Sequence, residues 1–108
     1  MSLPVQDIMS NQGFEDVGTG GGCYGWFTKK GKYTYYITVL AELTLPKGGE
    51  DVTISVYDKD FNRQYLTMDI SDFNPKKASE YLERAEEAIT SKSIQDQIKK
   101  NPDEIIYL

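Results

Sequence analysis

From Tyr33 to Leu45 the chain reads YTYYITVLAELTL, and the odd positions Tyr33, Tyr35, Ile37, Val39, Ala41, Leu43 and Leu45 are all apolar or aromatic. Successive side chains of an extended strand point to opposite faces, so this spacing predicts a half-buried strand of an antiparallel sheet. The alternation recurs in Val52, Ile54 and Val56 against Thr53, Ser55 and Tyr57, and in Leu66, Met68 and Ile70 against Tyr65, Thr67 and Asp69. Cys23 to Thr28 precedes the longest strand across Lys29-Lys30-Gly31-Lys32, where Gly31 suits the left-handed position that ends a three-residue hairpin loop. Four consecutive strands with short links predict an antiparallel meander.

Elsewhere the apolar positions take helical spacing. Val5, Ile8 and Met9 follow Ser2 and Pro4, a cap and a first-turn residue, and predict a short helix ending near Asn11-Gln12-Gly13 with Phe14 packed back onto it. Asn74-Pro75 reads as a cap and first-turn proline before Ala78, Leu82, Ala85 and Ile89, a helix running through Thr90. Its other side, with Glu80, Glu83, Arg84, Glu86 and Glu87, predicts a solvated face. Ser93 is placed to cap a last helix carrying Ile94 and Ile98, which Asn101-Pro102 ends. The expected architecture is a single α+β domain over residues 1–108: a short N-terminal helix, a four-stranded antiparallel meander and C-terminal helices packed on one face.

Hairpin register decides which aromatic residues stand opposite the core. With Thr28 across from Lys32, the residues Cys23, Gly25 and Phe27 join the core face, while Tyr24 and Trp26 join the open face with Tyr36, Tyr57 and Tyr65. A four-residue loop reverses this, because a slip of one residue carries every side chain of a strand across the sheet. Tyrosine and tryptophan combine a large contact area with a polar handle, so this aromatic face is the candidate interaction surface unless a helix covers it. Ile105-Ile106-Tyr107-Leu108 is an apolar segment that either packs internally or docks on another subunit.

Seventeen acidic residues against twelve basic ones give a net charge of −5, which disfavours nucleic acid and anionic membrane surfaces as partners. No apolar run approaches the ~20 residues that span a bilayer, and the start of the chain lacks the regions of a signal peptide. The lone cysteine forms no internal disulfide, so a soluble cytoplasmic protein is expected. The absence of histidine removes serine–histidine and cysteine–histidine nucleophile pairs and histidine-ligated metal sites. No cofactor and no metal are expected.

Cys23 follows three glycines and precedes a strand, where backbone N–H groups are able to stabilise a thiolate; as a small apolar side chain it also fits inside a sheet. Gly18-Thr19-Gly20-Gly21-Gly22 lacks the spacing, the lysine and the following helix of phosphate-binding loops, and reads as a linker or corner. Asp58-Lys59-Asp60-Phe61-Asn62 begins as a calcium loop does, but Arg63 stands where that loop needs glycine, so a turn is the better reading. Lys29, Lys30 and Lys32 beside Trp26, Phe27, Tyr33 and Tyr35 form a basic and aromatic patch of the kind that binds single strands, or a solvated turn.

Gly13-Phe14-Glu15-Asp16-Val17-Gly18, Gly20-Gly21-Gly22-Cys23, the hairpin that follows and VTISVYD from Val52 to Asp58 resemble small uncharacterised proteins of phages and bacteria. The resemblance covers the first two thirds of the chain and implies no activity and no functional residue; it favours a small accessory protein that works through contacts. A non-catalytic protein-interaction or assembly module, self-associating through the aromatic face or the apolar segment, is the expected function. The alternatives are a thiol-dependent enzyme or ligand site at Cys23 and Gly18–Gly22, and a weak single-stranded nucleic-acid binder at Lys29–Lys32.

Overall fold

The computed structural model describes residues 5–19, 23–39, 48–60 and 62–108, with residues 16–19 and 23–24 described as backbone only. Helix α1 (Val5–Asn11) leads into strands β1 (Glu15–Thr19), β2 (Cys23–Lys30), β3 (Tyr33–Val39), β4 (Val52–Asp58) and β5 (Gln64–Ile70). A 3-10 turn (Pro75–Lys77), helices α2 (Ala78–Thr90) and α3 (Lys92–Lys100), and strand β6 (Ile106–Tyr107) follow. The strands form one six-stranded sheet in sequence order; β1 to β5 are antiparallel neighbours and β6 runs parallel to β5. The α+β class, the short first helix and the C-terminal helices are as the sequence predicts. Two strands extend the meander: Glu15–Thr19 reads EDVGT and shows no alternation, and a two-residue strand is too short to show any. The Ser2 cap, the strand expected over Leu40 to Leu45, and Gly20–Gly22 lie outside the described residues.

Helices and sheet share one core. Trp26, Tyr35, Ile37, Val52, Ile54, Val56, Leu66 and Ile70 from the strands meet Ala78, Leu82, Ala85 and Ile89 of α2, Ile94 of α3 and Met9 of α1 in one cluster. Gly13 takes φ +88°, a left-handed conformation open to glycine, and Phe14 turns back into that cluster while its N–H donates to Met9 O at 3.0 Å. Pro75 stands in the first turn, where its missing N–H costs nothing, and the Asn74 side chain accepts from Lys76 N at 3.0 Å. The cap of α3 is Ser91 and not Ser93: the Ser91 hydroxyl accepts from Ile94 N at 3.3 Å, which places the cap three residues before the first buried isoleucine.

The hairpin register differs from the expected one. Lys30 pairs with Tyr33, so the loop holds only Gly31 and Lys32, with φ +64° at Gly31 and no positive φ at Lys32, the pattern of a type II′ turn. This turn matches the twist of the flanking strands and adds Lys29 and Lys30 to β2. Relative to Thr28 opposite Lys32 the pairing is displaced by an odd number of residues, so Trp26 now pairs with Ile37 on the core face, 2% exposed, and Phe27 and Gly25 move to the other face. A second irregularity lies between Val56 and Tyr57: Val56 pairs with Leu66 but Tyr57 with Gln64, leaving Tyr65 as an extra, bulged residue.

Candidate functional site

The five aromatic residues expected to share one open face are divided by these two features. Trp26 is in the core. Tyr65, carried by the bulge, packs against the core cluster, meeting Tyr33 edge to face at 5.5 Å with the Arg63 guanidinium 4.7 Å above its ring. Tyr36 and Tyr57 do stand together on the second face, 6.4 Å apart and near-perpendicular, but Tyr36 is only 9% exposed and Tyr57 is half-buried. The side chains of Tyr24 and Cys23 lie outside the described ones. The exposed aromatic platform is therefore corrected: among the described residues the second face is a buried polar ladder. Thr53 donates to Asp69 Oδ1 at 3.2 Å, Gln64 to Ser55 Oγ at 3.2 Å and Thr34 to Lys59 O at 3.3 Å, and the Ser55 and Thr67 hydroxyls lie 3.4 Å apart. Those hydrogen bonds offset the desolvation of hydroxyls that are nearly inaccessible to water.

The lysine turn is likewise rearranged. Lys30 Nζ is 2.6 Å from Glu86 Oε1 of α2, so Glu86 belongs to a contact with the sheet and not to the solvated helix face expected of it. Between this hairpin and the α2–α3 corner lies a groove of about 420 Å³, lined by Lys30, Lys32, Tyr33 and Tyr35 on one side and Glu86, Thr90 and Gln95 on the other. The Gln95 amide donates to Tyr33 Oη at 3.1 Å and also to Ile89 O, tying α3 to β3. Burial, then the nearby Glu86 carboxylate, then Tyr33 push the Tyr35 phenol from 10.0 up to about 12, so it is a neutral donor at ordinary pH. Nothing local in the sequence marks this groove, because Lys30 and Glu86, like Tyr33 and Gln95, come together only through the fold.

Asp58 Oδ1 accepts from Asp60 N at 3.2 Å and Asn62 N at 2.7 Å, so this carboxylate closes its own turn. Among the described residues no group of three acidic or cysteine side chains is placed to hold a metal, and no helix is long and apolar enough to cross a membrane.

The remaining surface feature is the apolar segment. Ile106 is half-buried beside Leu66, Leu108 N–H donates to Thr67 O at 3.0 Å, and Ile105, Tyr107 and Leu108 stay 37%, 78% and 56% exposed. They are the exposed large apolar side chains among the described residues, and they lie in or next to β6, one of the two edge strands of the sheet. Compared with protein families, with curated proteins and with solved structures, the chain matches none of them.

Proposed function

We propose that the protein is a non-catalytic interaction module that associates with further copies of itself through the sheet edge at β6. The exposure of Tyr107 and Leu108 on a segment already held by the ladder to β5 is the observation that supports this. Apolar side chains on an ordered backbone lose little further freedom on association, and an outermost strand offers backbone donors and acceptors to a partner strand. A second copy suits the patch because a two-fold arrangement brings the same apolar side chains against each other and needs no complementary charge. Three side chains fall well short of the ~800 Å² per partner of a standard interface, so the association is weak and concentration-dependent.

Molar mass by light scattering across a dilution series tests this, with the double substitution Tyr107→Glu and Leu108→Ser as control, since neither residue contributes to the core. A mass that rises with concentration in the natural sequence and stays monomeric in the variant is expected. A monomer at every concentration, or association that survives both substitutions, overturns the proposal.

A further inference from the structure

We infer that the groove between the β2–β3 hairpin and the α2–α3 corner binds a small monocarboxylate with an apolar body. Its volume, about 420 Å³, lies within the range of small-ligand sites, and the ring of Tyr33 and the stems of Lys30 and Lys32 supply its apolar surface, while Tyr35, 2% exposed, contributes only its edge. Two phenol donors are unspent. Tyr33 Oη accepts from Gln95, and its own proton has no acceptor among the described residues. The Tyr35 hydroxyl makes no hydrogen bond among the described residues, and its burial and the Glu86 carboxylate keep it protonated, a state in which it donates to an incoming oxygen.

Charge selects the ligand class. Lys30 is matched by Glu86 at 2.6 Å, whereas Lys32 is exposed and makes no ion pair among the described residues. Two ammonium groups against one carboxylate leave a single positive charge, which balances one carboxylate but not a phosphate dianion, and Glu86 repels the second charge of such a dianion. Thr90 adds no competing donor at the groove, since its hydroxyl is committed to Glu86 O at 2.6 Å. A ligand carboxylate between Lys32 and the two phenols, with its apolar body against the half-buried Tyr33 ring, satisfies every one of these groups. No residue of this groove belongs to the β6 edge, so the site stands or falls independently of self-association.

Amide-resolved NMR titration of the full chain with 3-phenylpropionate tests the site, with the uncharged 3-phenylpropanamide as control. Saturable shifts centred on Lys32, Tyr33, Tyr35 and Gln95 are expected, with the amide bound at least about tenfold more weakly. Lys32→Gln, in an exposed turn where the fold does not depend on it, weakens the carboxylate by about tenfold, and Glu86→Gln tightens it several-fold by removing the opposing charge. The site is refuted by shifts that do not saturate or that centre elsewhere, by equal binding of the amide, by a Lys32→Gln variant that binds unchanged, or by a Glu86→Gln variant that fails to bind more tightly.

Discussion

Gln12 Oε1 accepts hydrogen bonds from both the backbone N–H and the hydroxyl of Ser79, each at 2.9 Å, so a side chain just beyond α1 caps the first turn of α2. Its amide nitrogen donates in turn to Pro75 O at 2.7 Å and Ile8 O at 3.0 Å. The residue in the local cap position, Lys77, makes no side-chain cap of its own, and Gln12 fills that role from 67 residues away. Gln12→Ala is expected to cost about 1–2 kcal/mol, the size of a lost cap with its companion bonds. Urea denaturation checks it: the midpoint falls while the slope stays constant, and an unchanged midpoint refutes the capping role.

Gly25 lies against Tyr36 and Ile37 at close range. A Cβ at this position would stand 2.6 Å from Ile37 O and 2.8 Å from Tyr36 Cζ, and the first of these is backbone that moves only with the ladder. Gly25→Ala is therefore expected to destabilise the fold by about 1–3 kcal/mol through overpacking. A melting temperature equal to that of the natural sequence refutes overpacking at this position.

Ser91 and Ser93 separate two placements of the α3 cap. Ser91→Ala removes the acceptor of the Ile94 N–H and should cost about 1 kcal/mol, whereas Ser93→Ala, on an exposed position inside the helix, should change stability by less than about 0.5 kcal/mol. Equal effects in chemical denaturation, or the reverse order, contradict the assignment.

Tyr35 ties stability to alkaline pH. Its phenol is raised from 10.0 to about 12 in the folded chain, so between these values the unfolded chain has released the proton and the folded chain still holds it. Because the folded state then binds more protons, stability falls as pH rises through this window, and the contribution is complete below pH 10. Tyr35→Phe lacks this titration, so relative to the variant the natural sequence should lose on the order of 2 kcal/mol as pH rises from 10 towards 12. The difference between the denaturation midpoints of the two proteins should stay constant below pH 10 and shift against the natural sequence above it; parallel curves throughout would show that the phenol titrates normally.

Period-two alternation in β3, β4 and β5 and the apolar spacing of α1 and α2 are legible in the chain, because each depends only on which way neighbouring side chains point from a regular backbone. Tyr81 was not marked as core by the Ala78, Leu82, Ala85 and Ile89 stripe, yet it is buried against Phe73 with ring centroids 6.0 Å apart, and its hydroxyl accepts from Asn74 N at 3.2 Å. A tyrosine beside an apolar stripe is buried once its hydroxyl finds a donor, and that donor is supplied by the folded turn.

Placement of the aromatic side chains depends on single-residue choices. Both a three-residue loop and the observed two-residue loop accommodate Gly31 at positive φ, and the difference between them is enough to carry Trp26 from one face to the other. The bulge at Tyr65 has the same effect on β5, and it is stabilised by contacts with Tyr33 and Arg63 that no pattern within β5 records. By itself the sequence determined the α+β class, the alternation within β3, β4 and β5, the apolar stripe of α2 and the absence of histidine chemistry, all of which follow from local periodicity and residue type. Only the tertiary structure decided which face holds Trp26, how Gln12 caps α2 and where Lys30, Tyr33, Glu86 and Gln95 form a groove, because these follow from strand register and from packing between residues far apart along the chain.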